Sequence, residues 1–106
     1  MKHWLYCLTC KDKTEADTIT NALLEKRLVA CVKQSKVDST YRWEGEIENA
    51  SEVLLMMEST DEMFEAIDNL VKKLHSYEEY VLTATVVSKS NQGVAEWIKE
   101  SLNYGS

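Results

Sequence analysis

The sequence contains no proline, and only three of its 106 residues are glycine. The residues that usually punctuate loops, by fixing φ or by freeing it, are therefore scarce, and other side chains must make the turns. No stretch approaches the roughly 18 apolar residues of a membrane-crossing helix. No run of Lys and Arg occurs either. Twelve basic residues face eighteen acidic ones, for a net charge of −6 and a pI of about 4.9. Such a surface repels phosphate backbones, so nucleic acid is not an expected partner. The cysteines number three, an odd set. The start, Met1-Lys2-His3-Trp4, runs directly into an apolar segment with no signal-like cleavage pattern. Together these predict free thiols in a reducing, cytoplasmic setting. Glycine-rich phosphate loops and any Ser/His/Asp order with supporting context are missing. The chain is expected to be one soluble domain without catalytic activity.

What is present reads as alternating strands and helices. Residues 3–10 are aromatic and apolar, as in a buried strand. Thr14 stands at a helix start with Glu15 and Asp17 in the first turn. Ala16, Ile19, Ala22 and Leu23 then recur at helical spacing, which predicts a helix over 14–28. A second strand opens at Val29 and continues to Trp43. Glu44-Gly45-Glu46 is a tight turn, and Ile47 to Glu58 returns as the third strand of a long hairpin. Ser59 with Glu62 three residues on fits a capping box for a second helix ending near Leu74. Residues 75–79 connect to a fourth strand at 80–87, and a short last helix covers Val94 to Leu102. The order βαββαβ with a trailing helix predicts an α+β, ferredoxin-like sandwich.

Four groups could carry function. Cys7-Leu8-Thr9-Cys10 is a C-x-x-C, which suggests a redox pair or half of a metal site. Positions i and i+3 of a strand point to opposite faces, which argues for separate structural cysteines instead. Cys31, between Ala30 and Val32, reads as core. His75 is either a metal ligand or pocket donor, or a cation at a helix C-terminus. Tyr41 to Glu46 ends the hairpin, where an exposed Tyr and Trp favour a contact surface over folding back on the domain. Glu44, Glu46, Glu48 and Glu52 read as a solvated face.

Several segments resemble one family. Leu24 to Val32 resembles the L-x-E-x-[RK]-L-[AV]-A-C stretch of the CutA divalent-cation-tolerance proteins. Tyr41-Arg42-Trp43-Glu44-Gly45-Glu46-Ile47-Glu48 is similar to their Y-x-W-x-G-[KE]-I-E signature, and Ser51 to Met57 to the strand that follows it. Leu74-His75-Ser76-Tyr77-Glu78 is similar to x-H-P-Y-E, and Glu96 to Leu102 to the terminal Y-L-x-W-I-x-x-S. The resemblance implies a homotrimer with crossing hairpin arms, similar in architecture to PII-type signalling proteins, without settled catalysis and linked to copper or other divalent cations. It implies an inter-subunit cleft near Trp43, Glu44, His75, Tyr77 and Glu78, with Tyr41, Trp43, Ile47 and Trp97 at the trimer interface. Copper-site positions of bacterial members fall on Leu8, Leu74 and His75, which leaves His75 as the metal ligand retained; Cys7, Cys10 or carboxylates could join it, with Cys7 expected to face the other side from Leu8. The prolines of the family's H-P-Y-E-x-P-E become Ser76 and Tyr80, and its last Glu becomes Val81. Loss of proline predicts a looser connector.

Overall fold

The computed structural model describes residues 1–102. The opening apolar stretch forms β1 (His3–Cys10), with Tyr6, Leu8 and Cys10 fully buried on one face. Leu5, Cys7 and Thr9 on the other face are only half-buried. This period of two is that of a strand covered on one side.

Helix α1 (Lys13–Glu25) differs from expectation at both ends. Asp12 caps it in place of Thr14, its carboxylate accepting the Glu15 N–H at 2.9 Å. The helix stops three residues early because Arg27 adopts φ 58°. Arg27 N–H returns to Leu24 C=O and Leu28 N–H to Leu23 C=O, both at 3.0 Å. This is a Schellman closure with arginine where glycine is usual. The Arg27 guanidinium donates to the Glu100 and Ser101 carbonyls, at 2.5 and 3.1 Å, so the last helix holds the left-handed residue in place.

Strands β2 (Cys31–Trp43) and β3 (Glu46–Thr60) form the long hairpin, in unbroken register from Cys31 opposite Glu58 to Trp43 opposite Glu46. Glu44 and Gly45 turn the chain with φ of 49° and 80°. Two positive φ values in a two-residue loop make the type I′ turn, whose twist matches the flanking strands. Strand β1 pairs with β3 only as far as Cys10 opposite Val53. Residues 37–43 and 46–52 therefore form an arm with no third strand beside it among the described residues. At about 3.3 Å per residue the arm projects roughly 23 Å past the sheet. It sets the long axis of a molecule measuring 44 × 27 × 20 Å.

The expected Ser59–Glu62 capping box is not formed. Strand β3 runs through Ser59, whose hydroxyl donates to Leu28 C=O at 2.6 Å. A 3-10 turn (Asp61–Met63) leads into α2 (Phe64–Leu74), and Thr60 makes no side-chain cap. Strand β4 (Leu82–Val86), shorter than predicted, pairs with β1, and α3 (Val94–Ser101) follows. The antiparallel sheet has the order β2-β3-β1-β4, the ferredoxin-like arrangement. Ile19, Leu23, Ile67, Val71 and Ile98 of the helices join Tyr6, Leu8, Leu55 and Met57 in one core.

Candidate functional site

The end of α2 and the end of β1 meet beside the start of α1. His75 leaves the helix with extended backbone, φ −76° and ψ 138°, and its imidazole is fully buried. Nδ1 accepts the Tyr77 N–H at 3.0 Å, and Nε2 lies 2.8 Å from the Thr9 carbonyl. An amide can only donate and a carbonyl can only accept, so Nε2 carries the hydrogen and the ring is the neutral tautomer. The alternative of a dipole-capping cation is thereby corrected. The ring also stacks against Tyr80, with centroids 5.3 Å apart, and lies tilted against Tyr77 at 5.1 Å.

Glu15 holds this corner together. One carboxylate oxygen accepts the Lys11 N–H at 3.0 Å and the other accepts the Ser76 N–H at 2.8 Å. The first oxygen lies 3.7 Å from His75 Nε2. Burial pushes the carboxyl pKa up, but the hydrogen bonds donated by Ser76 and Lys11 outweigh it and hold it below the ordinary value. Cys10 shares the corner and is wholly buried. Burial first, then the charges of Glu15, Asp12 and Glu52, push its thiol up to about 12. A sulfur, a carboxylate oxygen and an imidazole nitrogen from these three residues lie within 4.8 Å of one another.

The connector that roofs the corner is fastened at both ends. The Tyr77 hydroxyl donates to Glu52 at 3.2 Å, at the base of the arm, and Tyr80 donates to Asp68 of α2. Burial and then Glu52 push the Tyr77 hydroxyl up to about 12. Loss of proline was expected to loosen this segment. Ser76, however, has an N–H that proline lacks, and that N–H is what Glu15 binds.

The family model described as CutA1 divalent ion tolerance protein matches residues 4–101. The chain belongs to that family. Protein CutA of Homo sapiens is 34% identical over 94 residues, which are 88% of this chain and 52% of that protein. The chain thus spans about half the length of the human and mouse relatives. The divalent-cation tolerance protein CutA of Archaeoglobus fulgidus is 32% identical over 102 residues, covering 96% and 99% of the two chains. The structure of the periplasmic divalent cation tolerance protein CutA from that organism superposes with a TM-score of 0.93, over 95% of this chain and 99% of the other. The Thermus thermophilus protein, 31% identical, superposes at 0.92 over 95% and 99%. No helix among the described residues is long and apolar enough to cross a membrane.

Within this CutA1-family fold, the copper positions implied by resemblance do not fit a metal. Leu8 is buried core, Leu74 is half-buried, and neither has a donor atom. A Cys7–Cys10 dithiol does not fit either, because β1 runs straight through Cys10 and sends the two thiols to opposite faces. Tyr41, Trp43 and Ile47 are 44%, 50% and 64% exposed on the arm, and Trp97 is exposed on α3. Glu44 lies in the turn and Glu78 is exposed on the connector. Tyr77 meets the arm at Glu52, six residues from Glu46, so the tip lies about 20 Å further out. One chain alone therefore does not bring Trp43 and Glu44 to His75, Tyr77 and Glu78. Glu15 was missed in the sequence as a site residue. Its only local signature is that of a first-turn carboxylate, and its partner Ser76 is 61 residues away.

Proposed function

We propose that this chain acts as a non-catalytic, homotrimeric module of divalent-cation tolerance, built like the PII-type signalling proteins and working in the cytoplasm. The arm carries this reading. A two-stranded ribbon is marginal in water unless something covers it. This one exposes Tyr41, Trp43 and Ile47. Large exposed aromatic and aliphatic groups concentrated on one projection are what an interface uses. The helix-free face of the sheet adds Leu5, Cys7, Leu54 and the exposed Met56. In the proposed trimer the arm of one subunit reaches the connector of the next, so that Trp43 and Glu44 join His75, Tyr77 and Glu78 in a cleft.

The cation-tolerance role follows the names of the relatives. The absence of catalysis is supported by the state of the buried groups. The Cys10 thiol is held protonated, both imidazole nitrogens of His75 are engaged, and Glu15 is held by two amides. None of them is poised as a nucleophile or base. Sedimentation equilibrium tests the assembly. The expected species is about 37 kDa, three times the 12.2 kDa chain. Trp43→Ser combined with Ile47→Ser is expected to shift it toward the monomer. A wild-type monomer at micromolar concentration refutes the reading.

A further inference from the structure

We infer that Cys10, Glu15 and His75 form an internal site for a zinc-class divalent cation, and that filling it releases the connector at Tyr77. The inference deepens the cation-tolerance reading and rests on it.

The three residues offer one sulfur, one carboxylate oxygen and one imidazole nitrogen, all within 4.8 Å of one another. Tetrahedral zinc with bonds of about 2.0–2.3 Å separates its ligand atoms by roughly 3.3–3.8 Å, so the cluster needs only a small contraction. The mixture of thiolate, imidazole and carboxylate selects zinc-class ions over calcium or magnesium, which prefer oxygen alone. The Cys10 sulfur has no hydrogen-bond partner among the described residues, and the carboxylates of Glu15, Asp12 and Glu52 all act on it. The surroundings thus favour a cation at the sulfur. Glu15 keeps its amide bonds, since each oxygen has a second lone pair to give.

His75 must change, and this is where the site gains a consequence. A metal on Nε2 needs the lone pair there, so the ring hydrogen moves to Nδ1. The Thr9 carbonyl then loses its 2.8 Å donor, and the Tyr77 N–H faces another N–H. Both resting hydrogen bonds break together. The resting connector and the filled site exclude each other, so an ion that binds one state shifts the population away from the other. Tyr77 carries that change to the arm base, because its hydroxyl binds Glu52. The thiol gives its proton to solvent as the metal–sulfur bond forms, one proton per ion.

Cobalt(II) tests this, because a thiolate ligand gives it a sulfur-to-metal charge-transfer band. The reduced 106-residue chain titrated with Co(II) is expected to bind one ion per chain with that band and to release one proton. Cys10→Val, which keeps an apolar side chain in the core, is expected to fold and lose the band. Cys7→Ser and Cys31→Ser are expected to keep it. Glu15→Gln and His75→Gln are each expected to weaken binding by about tenfold or more. On Zn(II) saturation the Tyr77 amide is expected to exchange faster with solvent. A missing band, a band that survives Cys10→Val, or a Tyr77 amide that is unchanged or better protected overturns the proposal. A trimer without the band defeats this site and leaves the assembly standing; a monomer with it does the reverse.

Discussion

Replacing Glu15 with glutamine tests how the connector is held. Glutamine keeps the size but has a single acceptor oxygen. It can serve the Lys11 N–H or the Ser76 N–H, and its own amide hydrogens must then face the other donor. One charge-assisted bond is lost and the second becomes neutral. Charge-assisted bonds contribute about 1.5–3 kcal/mol each and neutral ones about 0.5–1.5. The expected loss is about 2 kcal/mol near pH 7, at the low end because Lys11 and Ser76 lie where water reaches them. The pH dependence makes the test specific. The folded carboxyl sits below its unfolded value of 4.5, so its contribution is full above that pH and is lost as pH falls through the folded value. The gap between wild type and Glu15→Gln therefore closes on acidification. Urea unfolding at one fixed protomer concentration measures it, since oligomer stability depends on concentration. A neutral-pH gap below about 0.5 kcal/mol, or one that persists unchanged into acid, refutes the account.

Three further outcomes follow from the same geometry. Proline at Ser76 removes the N–H that Glu15 binds, while the extended ψ of 138° at His75 already suits a following proline. Alone, Ser76→Pro is expected to cost up to about 1 kcal/mol net. In the Glu15→Gln background it is expected to become neutral or stabilising, and an additive double-mutant cycle contradicts the bond. The Cys10 thiol, pushed from 9.0 up to about 12, holds roughly a thousandfold less thiolate than an ordinary cysteine at mild alkaline pH. Iodoacetamide in native buffer is therefore expected to spare Cys10 and modify it only after unfolding. Because the folded value is raised, stability from the neutral thiol is full below 9.0 and declines as pH rises toward 12. Gly45→Ala is expected to destabilise by about 1 kcal/mol, since Gly45 sits at φ 80° in the turn, whereas Glu44→Asn is expected to be neutral or stabilising at φ 49°. Thermal melts at matched concentration check both.

Much of this fold was legible because its periodicities are plain. Tyr6, Leu8 and Cys10 alternate, and Ile67 and Val71 recur one turn apart, so strand and helix identities follow from spacing. The boundaries that moved did so for tertiary reasons. Ser59 has the look of an N-cap, but its hydroxyl is claimed by Leu28, 31 residues away. Helix α1 stops at Glu25 because Arg27 takes the left-handed position that sequence rules reserve for glycine, steadied by carbonyls of α3. The site was legible only in part. His75 was visible as a candidate, but the neutral state of its ring depends on Thr9 and Tyr77 together. Glu15 was hidden, because a first-turn carboxylate looks the same whether it faces water or a buried imidazole. The same holds for the proline-free connector. Each missing proline restores an N–H, and only the fold decides whether that N–H finds an acceptor.

The chain is proposed to work assembled and to answer to a divalent cation. Native mass spectrometry of the reduced protein, with and without Zn(II), tests it most directly. A trimer of about 37 kDa that takes up as many as three ions, one for each 12.2 kDa chain, is expected. A 12.2 kDa monomer that ignores the metal at every concentration contradicts it.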